Sequence, residues 1–294
     1  MKIYINGKMM NAEEAMVSVY DHGFLYGLGL FETFRTYGGQ SFLLERHMER
    51  LETASQYLGI KLSITLGQLQ RIVQSLLEAN ALVDGYVRVT VSAGTGELGL
   101  PTQDYNEPTV VVMVKPIGDP TFEQWRNGKA LQLLQTVRNT PEGPYRFKSL
   151  HFMNNIIAKR ELLALGEATV IGAEGLMLTN NGYIAEGIVS NLFFVKDETI
   201  YTPHLDTGIL PGITREFVMQ LAKQQGFTVE EGRYTFTQLW EASEIWMTNS
   251  IQELIPITSL LDAAGHTKQI SEGVAGHYCH QLAAAYRATI QRKD

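Results

Sequence analysis

The chain has 294 residues, 45% hydrophobic and 19% charged, which is enough for a large core and for two domains. Its formal net charge of -7, from 24 basic and 31 acidic side chains, argues against nucleic-acid phosphate binding as the main task. A single cysteine, Cys279, excludes an intrachain disulfide and a cysteine-cluster metal site. The N-terminus lacks a signal-peptide core, and no apolar run approaches the roughly 18 residues that span a bilayer. A cytoplasmic protein is expected.

In chain order, Met1–Ile5 and Lys8–Met10 read as a hairpin turning at Asn6-Gly7. A glycine-punctuated stretch, D-H-G-F-L-Y-G-L-G-L-F-E-T-F-R, runs into a strand at Leu30–Tyr37, and Gly38-Gly39 is the next turn. Helical spacing of Leu44, Met48, Leu51 and Leu58 predicts a helix over 43–58, and a second covers 66–79. Strands follow at Gly85–Ala93 and Pro108–Lys115, the latter a continuous Val/Met run of the buried type. Residues 1–116 form a small α+β domain, 117–128 a connection, and 129–294 a larger domain.

The larger domain opens with a strand at Ala130–Val137 and a turn-rich N-T-P-E-G-P. Ser149 is placed to cap a helix reaching Leu165, with Ile156, Ile157, Leu162 and Leu163 facing inward. Short strands are expected at Thr169–Gly172, Gly175–Leu178, Tyr183–Ile188 and Asn191–Lys196, and helices at Thr214–Gln225 and Gly273–Gln291. Many short strands joined by tight turns predict a barrel-like antiparallel sheet, so the fold class is α+β with two domains.

Six places carry candidate chemistry. Lys148, in R-F-K-S-L-H-F-M-N-N, sits beside an apolar strand, where desolvation frees an amine for covalent work; a surface lysine is the ordinary alternative. Glu186 interrupts the apolar run Y-I-A-E-G-I-V-S-N-L-F-F-V, and an acid in a buried strand needs a positive partner unless it points to water. D-T-G-I-L-P-G-I-T-R at 206–215 places glycines before a helix start, an anion site or simply a capped loop. W-M-T-N-S at 246–250 ends a strand in small polar groups. His47 and Arg50, in H-M-E-R-L, share one side of a helix, which read alone is a solvated face. Tyr86 and Arg88, two apart on a strand, point the same way and suit a carboxylate or a structural ion pair.

Taken together, D-H-G-F-L-Y-G, F-E-T-F-R, H-M-E-R-L, Y-V-R, the Lys148 segment, A-E-G-I-V-S-N-L-F, L-P-G-I-T-R and M-T-N-S resemble the fold type IV pyridoxal-phosphate enzymes over residues 3–257. That family includes branched-chain aminotransferases, D-amino acid transaminases and aminodeoxychorismate lyases. The resemblance implies pyridoxal 5'-phosphate as cofactor, a small amine/carboxylate substrate and a homodimer. It implies that Lys148 carries the cofactor and shuttles the proton, and that Glu186 pairs with the pyridine nitrogen. It implies phosphate contacts from Arg50, Ile213, Thr214, Asn249 and Ser250, and a substrate pocket lined by Tyr26, Phe31, Thr33, Tyr86 and Arg88. Thr33, or another hydroxyl of that pocket, is expected to protonate the departing fragment.

Within the family, G-T-G-E-L-G-L-P lacks the Arg-x-His carboxylate trap of D-amino acid transaminases. S-L-H-F-M-N-N after the lysine lacks the glycine-rich, tyrosine-containing run of branched-chain aminotransferases. N-T-P-E-G-P-Y-R-F-K-S, N-N-I-I-A-K-R-E and F-L-Y-G-L-G-L-F-E-T-F-R look most like the lyases that release 4-aminobenzoate and pyruvate for folate synthesis. An aminotransferase using the same first steps, and a non-catalytic cofactor-binding protein, are the alternatives.

Overall fold

The computed structural model describes residues 1–165 and 172–291. These form two compact units, Met1–Gly118 with Phe147–His151, and Asp119–Arg146 with Phe152–Asp294. The short segment that carries Lys148 therefore belongs with the first unit, and the flanking chain with the second. The stretch expected as a connection, 117–128, contains a helix that opens the second unit.

The first unit is a six-stranded antiparallel sheet made of β1 (Lys2–Ile5), β2 (Lys8–Asn11), β3 (Gly29–Tyr37), β4 (Gln40–Ser41), β5 (Gly85–Ser92) and β6 (Thr109–Pro116), in the order β2-β1-β6-β5-β3-β4. Asn6 and Gly7 both take positive φ at the β1–β2 turn, the backbone that twists with the strands it joins. A short helix α1 (His22–Tyr26) precedes β3, and α2 (Leu44–Tyr57) and α3 (Leu66–Ala79) supply apolar faces to the core. Thr65 and Gln68 close a reciprocal cap on α3. Leu30, Phe34, Val87, Val89 and Val112 pack with Leu51 and Leu76 in that core. β6 was expected to be buried throughout; instead Val110, Val112 and Val114 are buried while Val111 and Met113 are only half-buried. One face of this sheet is thus the core, and the other mixes apolar and polar side chains.

The second unit begins with α4 (Phe122–Asn127), whose Trp125 donates its indole N–H to Leu254 O at 2.9 Å. It continues through β7 (Lys129–Leu133), α5 (Met153–Ala164), β8 (Glu174–Leu178), β9 (Ile184–Gly187), β10 (Asn191–Lys196), β11 (Thr199–Pro203), α6 (Ile213–Gln224), β12 (Val229–Gly232), α7 (Phe236–Trp240), β13 (Glu244–Asn249), β14 (Glu253–Leu261), β15 (Thr267–Gln269) and α8 (His277–Gln291). The strands make one nine-stranded sheet in the order β12-β11-β10-β13-β14-β7-β8-β9, with β15 on β14. The sheet curls on itself: Ile184 N–H in β9 donates to Tyr234 O at 2.7 Å, just past β12 at the opposite end of the order. The barrel-like expectation holds in this curl.

Its antiparallel character needs correction. β11 and β12, β7 and β8, and β14 and β7 are parallel pairs. For the first two the cause is in the chain, because α6 and α5 are crossover helices, and a crossover returns the chain parallel. Helix α5 corrects a second expectation. It starts at Met153 with Phe152 as its N-cap, and Ser149 pairs with Leu30 instead. Its buried face is Asn155, Ala158 and Leu162, whereas Ile156, Ile157 and Leu163 are exposed. The strand expected at 169–172 falls outside the described residues except for Gly172.

Candidate active site

In the first unit, residues 148–150 run along β3 as an added strand. Phe31 N–H donates to Lys148 O at 2.8 Å, and Leu150 N–H donates to Gly29 O at 2.9 Å. These bonds fix the lysine segment against the edge of β3. The half-buried Lys148 Nζ lies 4.6 Å from the centre of the Phe31 ring. The Arg88 guanidinium lies 3.8 Å from the same centre, so one aromatic ring carries two cations. Thr33 pairs with Arg88, and Phe31 with Thr90. Because antiparallel partners share a side, Phe31, Thr33, Tyr86, Arg88 and Thr90 lie on one face. Tyr86 has Lys115 Nζ 4.5 Å from its ring centre. Tyr26 ends α1, with its hydroxyl accepting the Gly99 N–H at 2.8 Å.

The opposite, core face of β3 carries Glu32, which is 2% exposed. Arg50 on α2 grips it with a fork, Nε to Oε1 at 2.8 Å and Nη2 to Oε2 at 2.6 Å, and His47 Nδ1 meets Oε2 at 2.7 Å. Burial alone would raise the Glu32 pKa, but Arg50 and His47 hold it down at about 2. Burial pushes the His47 imidazole below its usual value against the pull of Glu32, with Arg50 and Lys148 adding to the fall. The solvated reading of H-M-E-R-L is therefore overturned: His47 is buried, and Arg50 turns inward to a carboxylate. The sequence contained the signal, because Glu32 interrupts an apolar strand just as Glu186 does.

In the second unit, Glu186 on β9 is 4% exposed and accepts Arg138 Nε at 2.8 Å. Its other oxygen accepts Asn191 Nδ2 at 3.2 Å and Leu210 N–H at 3.0 Å. Both faces of β9 are buried, so strand alternation offered this carboxylate no water-facing side. Arg146 Nε lies 3.9 Å from Glu186 and donates to Gly208 O at 2.5 Å; burial, with Arg138 nearby, lowers its pKa to about 10. Arg138 and Asn191 were not anticipated. The former follows an apolar strand and the latter is the asparagine of the quoted V-S-N, but their partnership is set by folding rather than spacing.

The second polar cluster of this unit surrounds the start of α6. Gly212 is its N-cap and supplies no side-chain cap, leaving the dipole end open to an anion. The Thr214 and Ser250 hydroxyls lie 3.1 Å apart. A Cβ on Gly212 would come within 1.9 Å of Asn191 Oδ1, so only glycine fits this close approach. Asn249 directs Oδ1 to the N–H groups of Ile251 and Gln252, which builds the β13–β14 turn. Ser190 Oγ and Thr248 Oγ1 are buried with no hydrogen-bond partner. Asn191 pairs with Thr248, so both orphans belong to the same end of β10 and β13. Buried polar atoms left unsatisfied cost free energy unless a ligand meets them. A phosphorylated ligand fits this donor set. Among the described residues there is no group of metal-ligating side chains, and no helix is long and apolar enough to cross a membrane.

Residues 29–260 match the amino-transferase class IV domain. The chain is 44% identical over 260 residues to an aminodeoxychorismate lyase of Bacillus subtilis, covering 88% of this chain and 86% of that protein. It is 34% identical over 274 residues to a putative branched-chain-amino-acid aminotransferase of Methanocaldococcus jannaschii, covering 92% of each. Among solved structures, it superposes on the T.th. branched-chain amino acid aminotransferase complexed with N-(5'-phosphopyridoxyl)-L-glutamate with a TM-score of 0.86 at 28% identity, covering 100% of this chain and 95% of that one.

Proposed function

The chain belongs to the class IV amino-transferase family, and from that membership we propose that it is a pyridoxal-phosphate-dependent lyase. Its reaction converts 4-amino-4-deoxychorismate to 4-aminobenzoate and pyruvate. The geometric observation that carries the reading is the pair of cations on Phe31, with an amine at Lys148 and a guanidinium at Arg88 ready for an amine substrate bearing carboxylates. The 44% identity to the Bacillus subtilis lyase supports lyase over aminotransferase.

When bound, pyridoxal phosphate supplies an electron sink for the charge left on a carbon that loses its proton. Lys148 would anchor it through Nζ, and its amine would serve as the base for the substrate's C4 proton. Glu186 would accept the ring N–H. Ile213 through its N–H, Thr214, Ser250 and Asn249 would hold the phosphate, at a helix start suited to an anion, and the family pattern adds Arg50. Arg88 and Tyr86 orient the substrate, with Phe31 and Tyr26 shaping its pocket. As the bond from the ring to the enolpyruvyl oxygen breaks, Thr33 Oγ1 would pass a proton to the departing three-carbon fragment and regain one from the protonated Lys148 amine, so the C4 proton leaves on pyruvate and the new aromatic ring drives the step. We infer a cytoplasmic homodimer.

Aminodeoxychorismate, supplied without any keto acid, yields equal amounts of 4-aminobenzoate and pyruvate if this reading holds. Turnover that requires an acceptor such as 2-oxoglutarate would assign the chain to its aminotransferase relatives instead. Lys148→Ala is expected to lower turnover at least about a thousandfold and to remove the lysine-linked absorbance of the cofactor. A variant that keeps both overturns any lysine chemistry, and a wild-type protein with no such absorbance leaves only cofactor-free binding.

A further inference from the structure

Glu186 is held from outside its own strand. Arg138 Nε reaches Oε1, while Asn191 Nδ2 and the Leu210 N–H share Oε2. A carboxylate offers about four acceptor positions, so capacity for another donor remains on Oε1. Arg138 is itself fixed at its other end. Its Nη1 donates to Asn154 Oδ1 at 2.8 Å and to Asn155 Oδ1 at 3.2 Å, both on α5, and to Asn139 Oδ1 at 3.3 Å. Asn155 is in turn pinned by donating to Ile188 O at 2.5 Å. Three amide oxygens thus aim one guanidinium, and that guanidinium aims one acid.

We propose that Arg138 is a positioning residue that keeps Glu186 an acceptor, never a carrier, of the proton on the heteroaromatic nitrogen it faces. This rests on the reading that Glu186 meets the cofactor's ring nitrogen. An isolated buried acid and a ring N–H can relieve both charges by passing the proton across. With Arg138 in place, that transfer would leave a buried guanidinium without its counter-charge, and a guanidinium cannot discharge itself. The other groups around Glu186 do not replace it. Arg146 stands at 3.9 Å and is turned to Gly208 O and Asn139. Glu142 acts on Arg146, and Glu174 on β8 accepts the Ile188 N–H at 3.1 Å. Asn191 and Leu210 N–H are neutral donors.

The test uses the protein loaded with pyridoxal phosphate, with the absorbance of bound cofactor followed between pH 5 and 9 and its dissociation constant measured by equilibrium dialysis. In Arg138→Gln no fixed counter-charge opposes passage of the ring proton to Glu186, so the acidic limb of the absorbance titration and of kcat/KM moves up by about one pH unit or more. Arg138→Lys, which keeps the charge but loses the Nη1 bonds to the asparagines, returns the limb at least halfway and weakens cofactor binding about tenfold. A folded, loaded Arg138→Gln protein with the wild-type limb overturns the proposal. If that variant does not fold, wild-type cofactor affinity in Arg138→Lys overturns it instead. Failure of the wild-type protein to bind pyridoxal phosphate would strike the functional reading itself, a separate outcome.

Discussion

Glu32 and Glu186 are two buried carboxylates on apolar strands, one in each unit, and both meet an arginine. Their partners differ in kind. Glu32 receives two guanidinium N–H groups and an imidazole, all from one helix turn, so its hold includes a group that titrates. Glu186 receives one guanidinium N–H, an amide and a backbone N–H from three separate stretches of chain, none of which titrates near neutral pH. The first arrangement ties α2 to β3 and turns Arg50 into shape. The second holds an acid in place from three directions. A buried carboxylate in a strand is thus one sequence signal with two uses, and only its partners tell them apart.

Replacing each by glutamine separates the uses most sharply. Glu186→Gln is expected to lower kcat/KM about 100- to 1,000-fold while cofactor binding persists. It also leaves Arg138 without a counter-charge, at a cost of about 3–5 kcal/mol in stability. Glu32→Gln carries a similar stability cost but a smaller catalytic loss, read as a weaker affinity for the cofactor if Arg50 holds its phosphate. Equal kinetic damage from the two variants would erase the distinction.

Acid titration of stability gives the next effect. The Glu32 carboxyl moves from 4.5 to about 2 on folding. Its stabilisation is therefore present above the unfolded value and lost as pH falls from about 4.5 towards 2, about 3 kcal/mol in all. His47, lowered on folding, adds to the loss, because the unfolded chain takes up a proton below about pH 6.5 that the buried ring resists. Denaturant unfolding of Glu32→Gln between pH 6.5 and 2.5 should show a flatter acid limb than the wild type. Parallel limbs would mean that another carboxylate governs acid unfolding.

Much of this was legible in the sequence, and the exceptions have physical causes. Asn6-Gly7, the 3.6-residue spacing of α2 and α3, and the Gly-Pro approach to α6 each act through local backbone preference, so they read directly. Helix α5 misled because counting apolar residues favoured Ile156 and Ile157, whereas its buried face includes Asn155, a polar residue kept inside to serve Arg138 and Ile188. The parallel pairs were missed because pairing direction depends on where a helix returns the chain, which no single strand records. Arg138, Asn191 and Leu210 converge on Glu186 from separations of 48, 5 and 24 residues. Glu32 was readable and went unread, since its strand neighbours carried the stronger pattern. Of the phosphate candidates, Thr214 and Ser250 meet within the second unit, and the roles assigned to the remaining site residues rest on the family pattern.

The smallest effect probes the neutral side of the Glu186 hold. Asn191→Ala removes one donor from the carboxylate and one from Leu210 O, for about 1 kcal/mol each. The same side chain is what forbids a Cβ at Gly212, whose φ of -72° suits any residue. Gly212→Ala alone should then cost about 1–3 kcal/mol through overpacking, yet much less in an Asn191→Ala background, because the clashing oxygen is gone. The coupling in that double-mutant cycle, read from chemical denaturation, is expected at about 1 kcal/mol or more in favour of the double variant. Additive costs would mean that Gly212 is required by something other than Asn191. The approach of α6 to Glu186 would then be set by the backbone, and not by the amide that joins them.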